Sequence, residues 1–242
     1  MARMASGRRV EAVFFDVDFT LIHPGPVFDG DGYSAFARSH GLQADPSLYE
    51  AAVRQASSEL DHLQDAVYRP DPFIRYARRV LTEMGARGDR LDACAHEIYE
   101  EWAACRHFTL YEDVQPAFAA LCDEGYRLGL ISNTHRSLDN FQTHFQLKPY
   151  VTVAVSSSEQ GYLKPHPSIF RTALAAAGTA AADSVMVGDS LTHDIAGARQ
   201  VGMSAVLLIR SMSGNSHPGG GVGNEIPVIH SLTALPGLLR RL

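Results

Sequence analysis

Cysteine is scarce in this chain of 242 residues: Cys94, Cys105 and Cys122 are the three present, and no two are spaced as Cys-x-x-Cys. An odd trio without that spacing builds neither a disulfide framework nor a thiolate zinc site, and a reducing cytoplasm is the compartment expected. Basic excess is also missing. Against 27 Asp and Glu stand 21 Lys and Arg, a formal charge of −6. Nucleic-acid binding needs a concentrated basic face, so no nucleic-acid partner is expected. No apolar run approaches the roughly 18 residues that span a bilayer. Val10–Phe15 is cut off by Asp16, and no stretch of signal-peptide length follows the arginines of Met1–Arg9. Neither a membrane partner nor secretion is expected. Apolar residues make up 45% of the chain, enough for a folded core and too many for general disorder. The length suits one large domain, or a core with a smaller one inserted.

The apolar residues fall into two unlike patterns. Short runs at Val10–Phe15, Tyr126–Ile131, Val151–Val155, Ser184–Val187, Ala205–Ile209 and Ile226–Ile229 fit strands buried on both faces, as a parallel sheet requires. Helical patterns at Val114–Glu124, Ser168–Ala177 and Thr192–Val201 are each followed by a glycine, at 125, 178 and 202, which can turn the chain back toward the sheet. Strand, helix, glycine, strand is the signature of an α/β protein with a doubly wound, Rossmann-like parallel sheet.

Pro24 to Phe108 reads differently. Phe73, Ile74, Ala77, Val80 and Leu81 share one helix face, and Leu91–Cys105 is helical in pattern. Asp45-Pro46 and Asp71-Pro72 read as a helix N-cap followed by proline at the first position. The expected organisation is an α/β core of residues 1–23 and 110–242 with an inserted helical cap domain, 24–109, hinged near His23–Pro26 and Thr109–Asp113. Residues 211–223 are rich in Gly and Ser and read as a loop. The Gly219–Gly223 run is no dinucleotide fingerprint, because no strand leads in and no helix follows at once.

Four stretches just past expected strands carry chemistry, and strand C-terminal ends are where open α/β sheets place their sites. They are Asp16-Val17-Asp18-Phe19-Thr20, Ile131-Ser132-Asn133, Lys164 between Leu163 and Pro165, and Gly188-Asp189-Ser190 with Asp194. Each alone has a bland account: solvated turn acids, an ordinary Ser/Asn turn, an exposed loop lysine, an acid at a helix start. Together they bring four acids, one lysine and a Ser-Asn pair to one crevice. Such a cluster costs several kcal/mol of repulsion unless a cation neutralises it. An all-oxygen donor set suits Mg²⁺. Zinc suits the chain less well: its eleven histidines are scattered, and His96-Glu97 lacks the second histidine of HExxH.

This set resembles the four motifs of the haloacid dehalogenase-like (HAD) hydrolase superfamily. Asp16-Val-Asp18-Phe-Thr20-Leu21 is similar to its DxDGT[LV] loop, and Ile131-Ser132-Asn133 to the second motif. Lys164-Pro165-His166-Pro167-Ser168-Ile169-Phe170 resembles the third, and Gly188-Asp189-Ser190-Leu-Thr-His-Asp194 the fourth, GDSxxxD. The helical insert resembles the cap of subclass I members. One position departs: Phe19 stands where the family usually has glycine, and its ring is expected to narrow the pocket or alter the turn.

The resemblance implies a Mg²⁺-dependent phosphatase of small phosphorylated metabolites. Asp16 is the implied nucleophile, forming an aspartyl-phosphate, and Asp18 the general acid and then base. Asp16, the backbone carbonyl of Asp18 and Asp189 are the implied metal ligands. Asp194 is expected to hold metal-bound water or to orient Lys164. Thr20, Ser132 and Asn133 are expected to bond the phosphoryl oxygens while Lys164 offsets charge. The cap is expected to close over the crevice and select the leaving group. A 2-haloacid dehalogenase is the alternative that attacks carbon without metal, but dehalogenases lack an acid at the position of Asp18. A phosphomutase uses the same four motifs. An inactive phospho-ligand-binding module is the reading from outside catalysis.

Overall fold

The computed structural model describes residues 10–61, 66–210 and 226–241, so the Gly/Ser-rich stretch 211–223 lies outside the described residues. Packing divides the chain into two compact units. One holds the described residues of 1–23, 110–134 and 138–242; the other holds those of 24–109 together with 135–137.

The described strands are β1 (Ala12–Phe15), β2 (Ile22–Pro24), β3 (Phe108–Leu110), β4 (Arg127–Ser132), β5 (Val151–Ser156), β6 (Ser184–Gly188), β7 (Ser204–Leu208) and β8 (Val228–Ile229). Six of them form a sheet in the order β5-β4-β1-β6-β7-β8. Every neighbouring pair in it is parallel. β2 and β3 pair separately. The chain steps outward from β1 through β4 to β5, then returns to β6 and steps the other way to β8. The order therefore reverses around β1, as in a doubly wound sheet.

Burial on both faces explains the apolar runs. β1 and β6 are buried along their whole length. Successive residues of a strand point to opposite faces. Phe14 accordingly packs in a cluster with Ile169, Phe170, Met186 and Ile195. Phe15, pointing the other way, meets the Phe118 ring at 4.7 Å between centroids. Helices Val114–Asp123 and Pro167–Ala177 thus cover opposite faces. Phe14 also sets a limit on its neighbour in β4: a Cβ on Gly129 would come within 2.6 Å of the Phe14 ring.

The three glycines after expected helices all take positive φ: 87° at Gly125, 61° at Gly178 and 88° at Gly202. This left-handed backbone is cheap only for glycine, and it ends each helix where the chain must turn back. The third helix is not regular. Leu191–Ala196 is a π-helical turn followed by a short helix, Gly197–Gln200. The cause is local: the Ser190 carbonyl accepts from both Asp194 N–H (3.0 Å) and Ile195 N–H (3.1 Å). A widened turn of this kind is common at functional sites.

In the second unit, helices Gly30–Ser39, Tyr49–Ala56, Asp71–Glu83 and Leu91–Trp102 supply most of the structure. Asp45 caps as the sequence suggests, accepting from Ser47 N–H, although the turn it starts at Pro46–Leu48 is a 3₁₀ one. Asp71 does not cap. The Pro70 carbonyl accepts from Phe73 and Ile74, which places the start of the helix one residue earlier and Asp71 inside it. Asp71 still meets the positive end of the helix dipole.

Candidate active site

The four motif stretches gather at the C-terminal ends of β1, β4 and β6. The register makes this so: Phe15 pairs with Leu130 on one side and Val187 on the other. Asp16 then follows β1 level with the end of both neighbours, and its N–H donates to the Val187 carbonyl at 2.9 Å.

Past Asp16 the chain makes a tight turn. Leu21 and Ile22 N–H both donate to the Val17 carbonyl, at 2.8 and 3.2 Å, and Phe19 N–H donates to the Ile22 carbonyl at 2.7 Å. Phe19 sits at φ 63°. The turn therefore demands left-handed backbone at the position where the family usually has glycine. A non-glycine residue pays about 1–2 kcal/mol for that conformation. Asp18 is half-buried in this turn, while Thr20 is buried.

Lys164 is the centre of the charge arrangement. It is buried, and its Nζ donates to Asp16 Oδ1 at 2.6 Å, Asp194 Oδ1 at 2.7 Å and the Ile131 carbonyl at 2.8 Å. All three ammonium protons thus have acceptors. Burial alone would drive the lysine to release its proton, but the Asp16 and Asp194 carboxylates hold its pKa above the ordinary range. Asp194 turns its other oxygen back to Ser190 N–H at 3.0 Å. Gly188 makes room for it: a Cβ there would lie 2.2 Å from that oxygen. This close approach is why the residue before Asp189 must be glycine.

Among the described residues, three acids cluster around this one lysine. Asp16, Asp189 and Asp194 each present an oxygen, and the three lie within 4.8 Å of one another. Asp16 has a raised pKa, chiefly from burial, with Asp194 adding to it and Lys164 opposing. Asp189 is raised well above the usual carboxylate value, first by burial and then by the Asp16 and Asp194 charges. One lysine therefore does not supply the positive charge these groups need. A hard divalent cation would supply it, and carboxylate oxygens at this spacing need only a small closure, or a bridging water, to share Mg²⁺. The donor set fits that ion.

Other polar groups line up around the acids. The Ser132 hydroxyl is buried without a hydrogen-bond partner, as a group awaiting a ligand oxygen would be. Thr20 Oγ1 makes a long 3.5 Å contact to Asp189 Oδ1. Asn133, expected to bond phosphoryl oxygens, is here engaged with the lysine's main chain. Its side-chain amide donates to the Lys164 carbonyl at 3.0 Å and accepts from Lys164 N–H at 2.7 Å. The amide thus clamps the lysine's backbone, while Nζ reaches the Ile131 carbonyl two residues before Asn133.

One polar group at the site has no motif to announce it. Arg210, just past β7, is buried and donates from Nε and Nη2 to the Thr20 carbonyl, at 3.3 and 2.7 Å. Its Nη1 spans both oxygens of Asp113, at 2.9 and 2.8 Å. An arginine between Ile209 and a Ser/Gly-rich stretch reads as a surface residue, and no spacing rule would have singled it out.

A doubly wound sheet carries an acid directly after its first strand, a lysine-bridged acid pair and a third acid in reach, an arrangement suited to a hydrolase. The chain belongs to the haloacid dehalogenase-like hydrolases: that family model matches residues 10–202. The chain is similar to human haloacid dehalogenase-like hydrolase domain-containing protein 3, with 26% identity covering 98% of this chain and 95% of the relative. It is 31% identical to phosphoserine phosphatase of Thermus thermophilus, over 84% of this chain and 90% of that one. Among solved structures, a 2-haloacid dehalogenase from Pseudomonas syringae pv. Tomato superposes with a TM-score of 0.61 at 27% identity, covering 96% of this chain and 99% of that chain. Among the described residues no helix is long and apolar enough to cross a membrane.

Proposed function

We propose that this hydrolase is a Mg²⁺-dependent phosphatase of small phosphate monoesters. The observation that carries the reading is the buried Asp16–Lys164–Asp194 arrangement with Asp189 in reach, which leaves the acids short of one cation. Asp16, Asp189 and the backbone carbonyl of Asp18 would hold the ion, and Asp194 would fix Lys164 and meet the ion directly or through water. Bound there, Mg²⁺ supplies charge that keeps Asp16 ionised and offsets the phosphoryl oxygens.

The chain's own residues do the rest. A carboxylate oxygen of Asp16 attacks phosphorus, an aspartyl-phosphate forms, and the ester P–O bond breaks. Asp18 gives its proton to the departing oxygen. It then takes one from the water that attacks the aspartyl-phosphate, which frees Asp16 and phosphate. The Ser132 and Thr20 hydroxyls hold the phosphoryl oxygens, and Lys164 offsets charge on them and on Asp16. Asn133 keeps the lysine in place.

Asp18 separates this reading from a dehalogenase, which attacks carbon and has no leaving oxygen to protonate. The phosphatase relative favours the same side. The test is phosphate release from an aryl phosphate and a panel of phosphorylated metabolites, with Mg²⁺ and with EDTA, beside halide release from a 2-haloacid. Metal-dependent phosphate release that disappears in Asp16→Asn supports the reading. Halide release without metal, transfer of the phosphoryl group back to substrate, or phosphatase activity retained in Asp16→Asn sinks it.

A further inference from the structure

We infer that Arg210 is a positioning residue for the turn that carries Asp18 and Thr20. This assignment lies beyond the four motifs and beyond the matched span, which ends at residue 202. It rests on the phosphatase reading only for the reaction it serves.

The turn is held by its carbonyls. Arg210 binds the Thr20 carbonyl with two donors, and Tyr111 N–H binds the next one, that of Leu21, at 3.0 Å. The two clamps are joined: the Arg210 guanidinium lies 3.9 Å over the Tyr111 ring. Asp113, two residues on, receives the remaining fork of Arg210. Asp113 is fixed in turn by Ser231 Oγ at 2.7 Å and Leu232 N–H at 2.8 Å. A planar guanidinium can serve two acceptors in two directions and stack on a ring at once, which an ammonium cannot.

Phe19 gives the clamp a purpose. Its left-handed backbone is strained, and strained residues persist only where surrounding contacts over-determine them. Glycine would adopt the turn without help. With phenylalanine there, the two carbonyls just after it are each pinned from outside the turn. Were they released, the turn would relax and carry Asp18 away from the line between leaving group and water. An error near 1 Å in such a group costs up to about a hundredfold in rate.

The experiment compares wild type, Arg210→Lys and a control, Leu239→Ala. Leu239 is buried in the same unit and supplies none of the clamp's hydrogen bonds, so its truncation destabilises without removing one of them. Lysine at 210 keeps the charge opposite Asp113 but loses the fork. The expected result for Arg210→Lys is a kcat lower by about tenfold with KM within about threefold. Amide exchange of the 17–22 peptide should quicken as well, read at the Phe19, Leu21 and Ile22 N–H groups. Leu239→Ala should lower Tm while leaving kcat and that exchange near wild type. Unchanged exchange in Arg210→Lys overturns the assignment, as does a kcat within about twofold of wild type or matched by Leu239→Ala. If wild type releases no phosphate with Mg²⁺, the phosphatase reading falls, and the exchange measurement alone decides whether Arg210 holds the turn.

Discussion

Lys164→Met keeps the length of the side chain and removes its charge. In the native protein Nζ bridges Asp16 and Asp194 at 2.6 and 2.7 Å in a buried setting. Deleting one member of a buried ionic cluster and leaving the other charges in place costs about 3–5 kcal/mol. For a chain of this size that is a fall in Tm of about 6–20 °C. The loss should depend on pH, and its sign follows from the carboxylates. Asp16 and Asp189 already titrate above their unfolded value of 3.8, mainly because they are buried, and Lys164 opposes the shift in both. Without it they rise further. A carboxyl with a raised folded pKa holds a proton that the unfolded chain releases. Its contribution is full below the unfolded value and is lost as pH rises through the folded one. Each such proton makes stability fall by up to about 1.4 kcal/mol per pH unit across that window. Urea unfolding in EDTA should therefore show the variant closest to wild type in acid and furthest from it at neutral pH. Mg²⁺ should recover part of the loss, about 2.7 kcal/mol at a hundredfold excess over Kd, by supplying the missing charge. A neutral-pH loss below about 1 kcal/mol, with parallel pH profiles for the two proteins, would refute the claim that these acids depend on the lysine.

Three further outcomes are expected. Asp189→Ala removes one of the three clustered oxygens, and the Mg²⁺ concentration for half-maximal activity should rise by about tenfold or more; an unchanged metal titration would remove Asp189 from the ligand set. Asn133→Ala strips two bonds from the Lys164 backbone and should cost about 1–3 kcal/mol in urea unfolding and lower kcat more than it raises KM; a pure KM effect would return Asn133 to direct substrate contact. Phe19→Gly relieves about 1–2 kcal/mol of backbone strain but frees the unfolded chain by a similar amount, so stability should change by less than about 1 kcal/mol; a loss beyond about 2 kcal/mol would show that the ring itself, and not the backbone, secures the turn.

What could be read from the sequence was whatever short segments determine by themselves. Val10–Phe15 is apolar throughout because both faces of β1 are covered, and Gly125, Gly178 and Gly202 mark real turns because no other residue takes that backbone cheaply. The acids were legible for the same reason: a charge directly after a buried strand needs a partner. Partners contributed from far along the chain were not legible. Arg210 reaches Thr20 across 190 residues, and Asn133 faces Lys164 across 31, with orientations that no local pattern encodes. The π-helical turn at Leu191–Ala196 was hidden too, since it depends on one Ser190 carbonyl taking two donors. That turn and Gly188 belong to one device. The widened turn brings Asp194 back over the end of β6, the bare glycine lets its carboxylate settle there, and one oxygen is left for Lys164. Lys164 is shared between Asp194 and Asp16, and the carboxyls of Asp16 and Asp189 both have raised pKa values. A site built this way owes its affinity for a cation to acids gathered in a buried setting, and the same burial makes the metal-free protein less stable as those two acids ionise.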